Sequence, residues 1–383
     1  MDTTDFSGPR NSPRRCVRHI FRGSLDISSG FTREGTQGEA AHETFSPIRS
    51  LQVIPSSSSD AAYNFARRDA LALETLGVQV KLFVLVSRTS LASVSGDYVH
   101  LRKEICAWRP HLVHAHYGTV TAFLCACATR LPLVLTFQGS DLNRDPSISV
   151  LRSKLGHLMS HLAALRANYI LCVSEQLRSR LWWRRERISV CPNGVNLNLY
   201  RPEPRDEARA RLHWDPLDRI VLFNTGGNPK VKNRRLAEAT IRSATSICGN
   251  IRLVVLDGST PPEQIPALLN AADCLLVTSI SEGSPRIVRE ALACNLPVVS
   301  VRVGDVEQQL RDVYPSALVD ADAEQLGAAL AEILKRGQRS NGRESVRSLA
   351  TEKVAERMMY LYRRVLRNAK DDAAFDRALT DLA

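Results

Sequence analysis

Aromatic side chains make up only 6% of the 383 residues, the basic residues are dispersed, and no recognised base-stacking or zinc-binding module is present. Nucleic-acid-binding proteins usually concentrate such features, so that class starts at a disadvantage. Long hydrophobic runs are also missing. The most apolar stretch, 121–137, is broken by Arg130 and Pro132, short of the roughly 18 uninterrupted residues that a membrane-spanning helix needs. No two cysteines have zinc-ligand C-x2-C spacing, and Cys125 and Cys127 are the only close pair. The nine cysteines are odd in number, and Cys106, Cys172, Cys274 and Cys294 lie in apolar stretches. Buried free thiols in a reducing cytoplasm fit this usage better than a disulfide framework.

What is present is ordinary globular material in quantity: 44% hydrophobic and 24% charged residues. That composition excludes global disorder and collagen-like repeats. The length suits two domains of roughly 150 residues. The formal charge of +11 is unevenly placed. Residues 1–48 balance six basic against six acidic groups, 49–200 carry eighteen against nine, and 201–383 carry twenty-seven against twenty-five. A basic first half suggests an anionic partner, such as a leaflet of acidic lipids, a phosphorylated acceptor or nucleic acid. A solvated surface with no partner is the plain alternative.

Residues 1–48 are rich in Ser, Gly, Arg and Thr without a period of 2 or 3.6, and read as a flexible extension. Arg14 and Arg15 resemble a twin-arginine start, but no apolar segment follows them. Order begins near Leu51 with a strand at 51–54, a serine turn at 56–59, a helix over 61–76 ended by Gly77, and a strand at 78–86. Strands at 112–115, 133–137, 169–173 and 188–191 follow, with helices over 119–129 and 149–167. The Pro-rich, charged segment 200–211 marks a domain boundary. Beyond it, strands at 220–224, 251–256, 274–278 and 297–301 alternate with helices near 234–246, 262–270, 285–294 and 323–336. Two doubly wound parallel α/β sheets are expected, 49–200 and 201–383, each with its ligand crevice at the carboxyl ends of the strands. The cleft between them is the place for chemistry.

The sharpest segment is T-S-I-S-E-G-S-P-R-I-V-R-E-A-L-A-C-N-L-P at 278–297. A strand ends near Thr278, Ser284 is an N-cap candidate, and Pro285 suits the first helical position. The helix start offers unpaired amides and a positive dipole end to a phosphate, Gly283 permits close backbone approach, and Arg286 adds a charge. Glu290 lies about a turn and a half into the helix, where a carboxylate can accept two ribose hydroxyls. Glu282 precedes the helix, within reach of a sugar. Asn295 tolerates the left-handed conformation that closes a helix.

Glu282 and Glu290 in this setting resemble the E-x7-E motif of retaining glycosyltransferases of family 4, which have the GT-B fold. The resemblance extends over roughly 51–366. It is also carried by L-V-H-A-H-Y-G at 112–118, L-T-F-Q-G-S-D at 135–141, V-S-E at 173–175, V-C-P-N-G-V-N at 190–196 and N-P-K-V-K-N at 228–233. It implies an acceptor-binding domain over 49–200 and a donor-binding domain over 201–383, with a C-terminal helix returning toward the first. It also implies that Glu290 holds the nucleotide ribose and that Glu282 contacts the transferred sugar. Gly283, Ser284, Pro285 and Arg286 would hold the diphosphate, and Lys232 would neutralise it. Stabilisation of that leaving group by fixed cations and amides would be the largest catalytic term, with no metal and no cofactor required. His116 resembles a histidine placed near the donor sugar; Gln138, Ser140 and Asp141 fall on the acceptor side.

The chain departs from the family in three places. The Arg that commonly precedes the phosphate Lys is absent from 223–228, with Lys230 as a stand-in. The Gly-rich turn of the first domain is four serines at 56–59, and Gln138 replaces a common His.

Plainer readings stand beside these. Glu282 and Glu290 would otherwise be solvated helix-end charges, and Lys232 a surface lysine. His114 and His116, which share one face of a strand, would be structural histidines. Asp141 would cap a turn. The Trp182-Trp183-Arg184-Arg185 run would pack at the domain seam or, alternatively, rest on a membrane.

The leading expectation is a cytoplasmic, retaining transferase, peripheral at the inner face of the membrane if the basic half has a lipid partner. It would move a sugar from a UDP or GDP donor to a saccharide or lipid-linked acceptor in cell-surface polysaccharide or glycan synthesis. The alternatives are a nucleotide-sugar epimerase on the same fold and a non-enzymatic basic protein that binds nucleic acid or membrane.

Overall fold

The computed structural model describes residues 47–55, 64–183, 185–226 and 228–367. The expected extension, apart from its last two residues, the serine turn at 56–59 and Arg184 lie outside the described residues. Six strands form the first sheet: β1 (Arg49–Ile54), β2 (Gln79–Val84), β3 (Leu112–His116), β4 (Leu133–Phe137), β5 (Tyr169–Cys172) and β6 (Ile188–Val190). All pair in parallel in the order β2-β1-β3-β4-β5-β6. The central strands β3, β4 and β5 are buried at every residue, whereas edge strand β2 is half exposed. This is why the former read as unbroken apolar runs. Helices α1 (Asn64–Thr75), α2 (Leu91–Trp108), α3 (Thr119–Ala128), α4 (Val150–Arg166) and α5 (Glu175–Ser179) connect them.

The second sheet has β7 (Ile220–Asn224), β8 (Arg252–Leu256), β9 (Cys274–Val277), β10 (Val298–Val301) and β11 (Ala317–Val319), in the parallel order β11-β10-β9-β7-β8. Around it lie α6 (Arg205–Arg211), α7 (Pro229–Lys232), α8 (Arg234–Cys248), α9 (Ile265–Ala271), α10 (Arg286–Ala293), α11 (Val306–Leu310), α12 (Ala323–Arg336) and α13 (Gly342–Ser345), followed by α14 (Thr351–Leu366). Both sheets therefore reverse direction beside their first strand, between β1 and β3 and between β7 and β9. Such switch points open a crevice at the carboxyl ends of the strands.

Three elements depart from the sequence expectation. Helix α2 was not anticipated, because Ser93, Ser95, Gly96 and Asp97 interrupt its apolar spacing. It forms nonetheless: the Ser90 hydroxyl accepts from the Ser93 amide, and Asp97 turns inward to accept from the Val86 amide at 2.9 Å. The boundary segment 200–211 ends as helix α6, whose buried Arg209 pairs with Asp273 at 2.8 Å and fastens it to the second domain. Strand β11 was not among the expected strands, and Asp322 just after it caps α12.

Each sheet has its own buried core. Helix α14 crosses to the first sheet, where Met358, Leu361 and Tyr362 pack with Leu73, Leu112 and Val134. A polar seam runs beneath it. The Tyr362 hydroxyl bonds His114 Nδ1 at 2.7 Å, His114 Nε2 bonds the Thr136 hydroxyl at 2.7 Å, and His116 Nε2 bonds Gln52 Oε1 at 3.0 Å. Burial pulls the His116 pKa down from 6.5 to about 3, and burial followed by the neighbouring His116 pulls His114 well below its ordinary value. Both imidazoles are thus neutral when folded and protonate on unfolding. Their contribution to stability is complete above pH 6.5 and is lost as pH falls toward 3. Compared with His116→Gln, the native protein should lose about 1.4 kcal/mol more per pH unit below its unfolded pKa. Thermal midpoints of both proteins between about pH 7.5 and 5.5 test this, and parallel curves would contradict it.

Candidate functional site

A cavity of about 340 Å³ lies at the carboxyl end of the second sheet and is closed by residues of the first domain. Its floor is the loop after β9 and the start of α10, with Glu282, Ser284, Pro285, Arg286 and Glu290. Lys232 enters from α7, and Arg68 from α1. Gln138 after β4 and the linker residues Asn193 and Tyr200 complete the first-domain side. Leu256, Gly258, Thr260, Pro262 and Ile265 form a shelf beyond β8.

The geometry of α10 corrects the expected cap. Pro285 stands at the N-cap position and the helix begins at Arg286, so the Ser284 hydroxyl makes no capping bond. Ser284 instead joins a buried network: its Oγ bonds Asp305 Oδ2 at 2.5 Å and accepts from the Arg289 guanidinium, which stands 3.7 Å from Asp305. Arg289 is 1% exposed. Burial raises the Asp305 pKa against the opposing pull of Arg289. Protein groups spend the Ser284 hydroxyl elsewhere, and the start of α10, from Pro285 to Ile287, lines the cavity. Asn295 adopts the left-handed conformation at the other end, φ 56°.

Gly283 has a different use from the one expected. A Cβ there would stand 2.0 Å from the Gln138 carbonyl oxygen, a distance no side chain tolerates. The close approach is therefore between the two domains' loops. The Asn143 side-chain amide reinforces it by donating to the Glu282 carbonyl at 3.1 Å.

The two carboxylates face different partners. Glu282 Oε1 lies 2.5 Å from Lys232 Nζ. Its loop is held there by the Thr278 hydroxyl, which donates to the Lys232 carbonyl at 2.9 Å, and by the Ile280 amide, bonded to Val231. Glu290 lies 4.0 Å from Arg68, and the buried Tyr200 hydroxyl faces both. Arg343 fixes Tyr200 by donating to its carbonyl at 2.7 Å and to those of Leu197 and Ala293.

Four expected site residues lie elsewhere. Lys230 is exposed and does not line the cavity; α7 directs Lys232 inward and Lys230 outward, while Arg68 and Arg286 supply the added charge. His116 is buried in the polar seam and does not line the cavity, so a direct sugar contact does not follow from its position. Asp141 is fully buried and accepts from the amides of Gly118, Gln138 and Gly139 at 2.7–3.2 Å. These amides occupy both of its oxygens, and its role is to hold the 138–141 turn rather than to touch an acceptor. Ser140 lines a separate groove of the first domain and shares a 2.5 Å hydroxyl contact with Tyr117. Gln138 keeps its place, tied to the Asn193 amide at 2.8 Å.

Arg68, Tyr200, Asn193, Arg289 and Asp305 were missed. Asn193 lay inside the 190–196 motif and Arg289 inside the 278–297 segment, whereas Arg68, Tyr200 and Asp305 left no local signal.

Two family models match the chain: Glycosyltransferase Family 4 over residues 58–199 and Glycosyl transferases group 1 over 238–351. The chain belongs to the group 1 glycosyltransferases, with the GT-B arrangement of two parallel-sheet domains. Similar proteins include a D-inositol 3-phosphate glycosyltransferase of Segniliparus rotundus, 25% identical over 68% of each chain. Another is the teichuronic acid biosynthesis glycosyltransferase TuaC of Bacillus subtilis, described as putative, which is 30% identical. That alignment spans 51% of this chain and 54% of TuaC. Among solved structures, sucrose-phosphate synthase from Thermosynechococcus elongatus superposes with a TM-score of 0.71 at 18% identity, over 84% of this chain and all of that one. Anabaena HepE, solved with UDP and glucose, gives 0.64 at 16% identity, over 82% and 99%. At such identities the likeness is one of fold.

Removing Asp305 would leave Arg289 buried without its anion. Asp305→Ala should cost about 3–5 kcal/mol, read as a lowered thermal midpoint, whereas replacing the exposed Glu307 should change it little. Equal midpoints for both variants would contradict the network's role.

Proposed function

We propose that the protein is a retaining glycosyltransferase that takes a sugar from a UDP or GDP donor and passes it to a saccharide or lipid-linked acceptor during cell-surface polysaccharide or glycan assembly. The observation that carries this is that the start of α10 and two carboxylate–cation pairs, Glu282 with Lys232 and Glu290 with Arg68, line one cavity. A diphosphate at the amides of Arg286 and Ile287 draws Lys232 from Glu282, because two phosphates offer more charge than one carboxylate. Glu282 is then released to the sugar. Glu290 accepts the ribose hydroxyls, and the shelf of Leu256, Gly258, Thr260, Pro262 and Ile265 receives the base.

In the reaction, the bond between the anomeric carbon and the diphosphate oxygen breaks, and its electron pair leaves with the diphosphate. Lys232, Arg286 and the helix amides meet that charge as it develops. Glu282 stabilises positive charge on the anomeric carbon. The acceptor oxygen forms the new bond and its proton passes to the departing diphosphate. Charge neutralisation by these fixed groups needs no divalent cation. Gln138 and Ser140 stand on the acceptor side, while Asp141 and His116 support the surrounding loops.

A nucleotide-sugar epimerase is the second reading. UDP-GlcNAc 2-epimerase from Methanocaldococcus jannaschii shares the fold with a TM-score of 0.54 at 12% identity. The group 1 family match favours the transferase.

UDP or GDP should raise the thermal midpoint of the native protein, and Glu290→Ala should abolish that shift. Lys232→Ala should lower turnover by two to three powers of ten, about 2.7–4 kcal/mol, with EDTA leaving native turnover unchanged. Equal protection of native and Glu290→Ala protein would remove the donor site, and epimer formation without an acceptor would favour the second reading.

A further inference from the structure

Helix α4 is built inside out. Its buried face is Ser153, Ser160, Ala163 and Ala164, small side chains that let it pack closely on α3. Its outer face carries Leu151, Leu155, Leu158 and Leu162, between 43% and 81% exposed. These recur at spacings of three and four, so they form one continuous ridge. A monomeric soluble protein rarely leaves so long an apolar stripe uncovered.

The ridge borders a groove of about 990 Å³ between α2, α3 and α4, lined by apolar side chains such as Val94, Val120, Phe123 and Met159. Leu155 belongs to both ridge and groove. The groove lining includes the Tyr117–Ser140 hydroxyl pair, with Ser140 two residues along the chain from Gln138 of the donor cavity. The groove thus joins the leucine ridge to the 138–140 loop that borders the donor cavity.

Charge identifies the occupant. Helix α4 carries Arg152, Lys154 and Arg166 and no acidic residue. Arg88 lines the groove as well, and Asp145 is the acid at its rim, already engaged by the amide and hydroxyl of Ser147. A second copy of the chain, paired ridge to ridge, would bring cations against cations. An anionic lipid leaflet complements both features, with hydrocarbon for the leucines and headgroups for the bases.

We propose that the leucine ridge of α4 and the mouth of the adjoining groove dock on an anionic leaflet, and that the acceptor is a lipid-borne molecule reaching the cleft along that groove. The docking surface stands independently of the transferase reading; the acceptor assignment rests on it.

The test uses the full chain with vesicles of phosphatidylcholine alone and of phosphatidylcholine mixed equally with phosphatidylglycerol. The native protein should float with the mixed vesicles at least tenfold more strongly than with the neutral ones, and raised salt should weaken this binding. Leu158→Asp combined with Leu162→Asp should lose it at least tenfold, with an unchanged thermal midpoint and unchanged protection by UDP or GDP. In a Cys106→Ser background, the mixed vesicles should slow alkylation of Cys127, an exposed thiol on the groove wall. Failure of the native protein to bind, equal binding by the double variant, or unaltered Cys127 labelling would overturn the proposal. So would self-association of the native protein that the double variant abolishes, which would make a second copy the occupant. Nucleotide protection reports the donor site in each case, so loss of the docking surface and loss of the transferase reading are distinguishable.

Discussion

The direction of one short helix depends on a buried ionic contact. Arg289 and Asp305 both bind Ser284, one residue before the N-cap of the helix that follows. Burying two charges carries a desolvation cost that a single contact seldom recovers. Here the return is positional: the start of α10 is fixed at the edge of the interdomain cavity. Gly283, one residue earlier, removes the Cβ that would keep the first domain away. Cavity closure and the placing of the start of α10 therefore originate in three consecutive residues, 283–285.

Around that point the molecule places charges in pairs. Each cavity carboxylate has a cation opposite it, one from the same domain and one from the other. Such pairs hold their geometry before a ligand arrives, and a ligand with more negative charge can exchange partners with them. The Arg68–Glu290 contact links the domains directly.

Much of this architecture was legible in the residues. The apolar runs at 112–116, 133–137 and 274–277 are strands buried on both faces, which is why no alternation obscured them. The Glu282 to Glu290 spacing gave a loop followed by a helix, and Asn295 ends that helix as its conformational tolerance suggests. What could not be read was long-range geometry. Arg68 has no local pattern that announces a partner more than two hundred residues away. Asp141 resembles a ligand-binding acid in composition and is taken up by backbone amides in space. Lys230 and Lys232 differ only in which side of one helical turn they occupy. Helix α4 shows the same limit: its period reveals a helix, but the small residues, not the leucines, proved to be the inner face.

The central claim is that the start of α10 binds a diphosphate while Lys232 changes partner. A crystal structure with UDP tests it most directly. Phosphate oxygens should lie within hydrogen-bonding distance of the Arg286 and Ile287 amides, Lys232 Nζ should have moved from Glu282 onto a phosphate, and the ribose should rest against Glu290. A nucleotide bound elsewhere, or Lys232 still paired with Glu282 beneath a bound diphosphate, would contradict it.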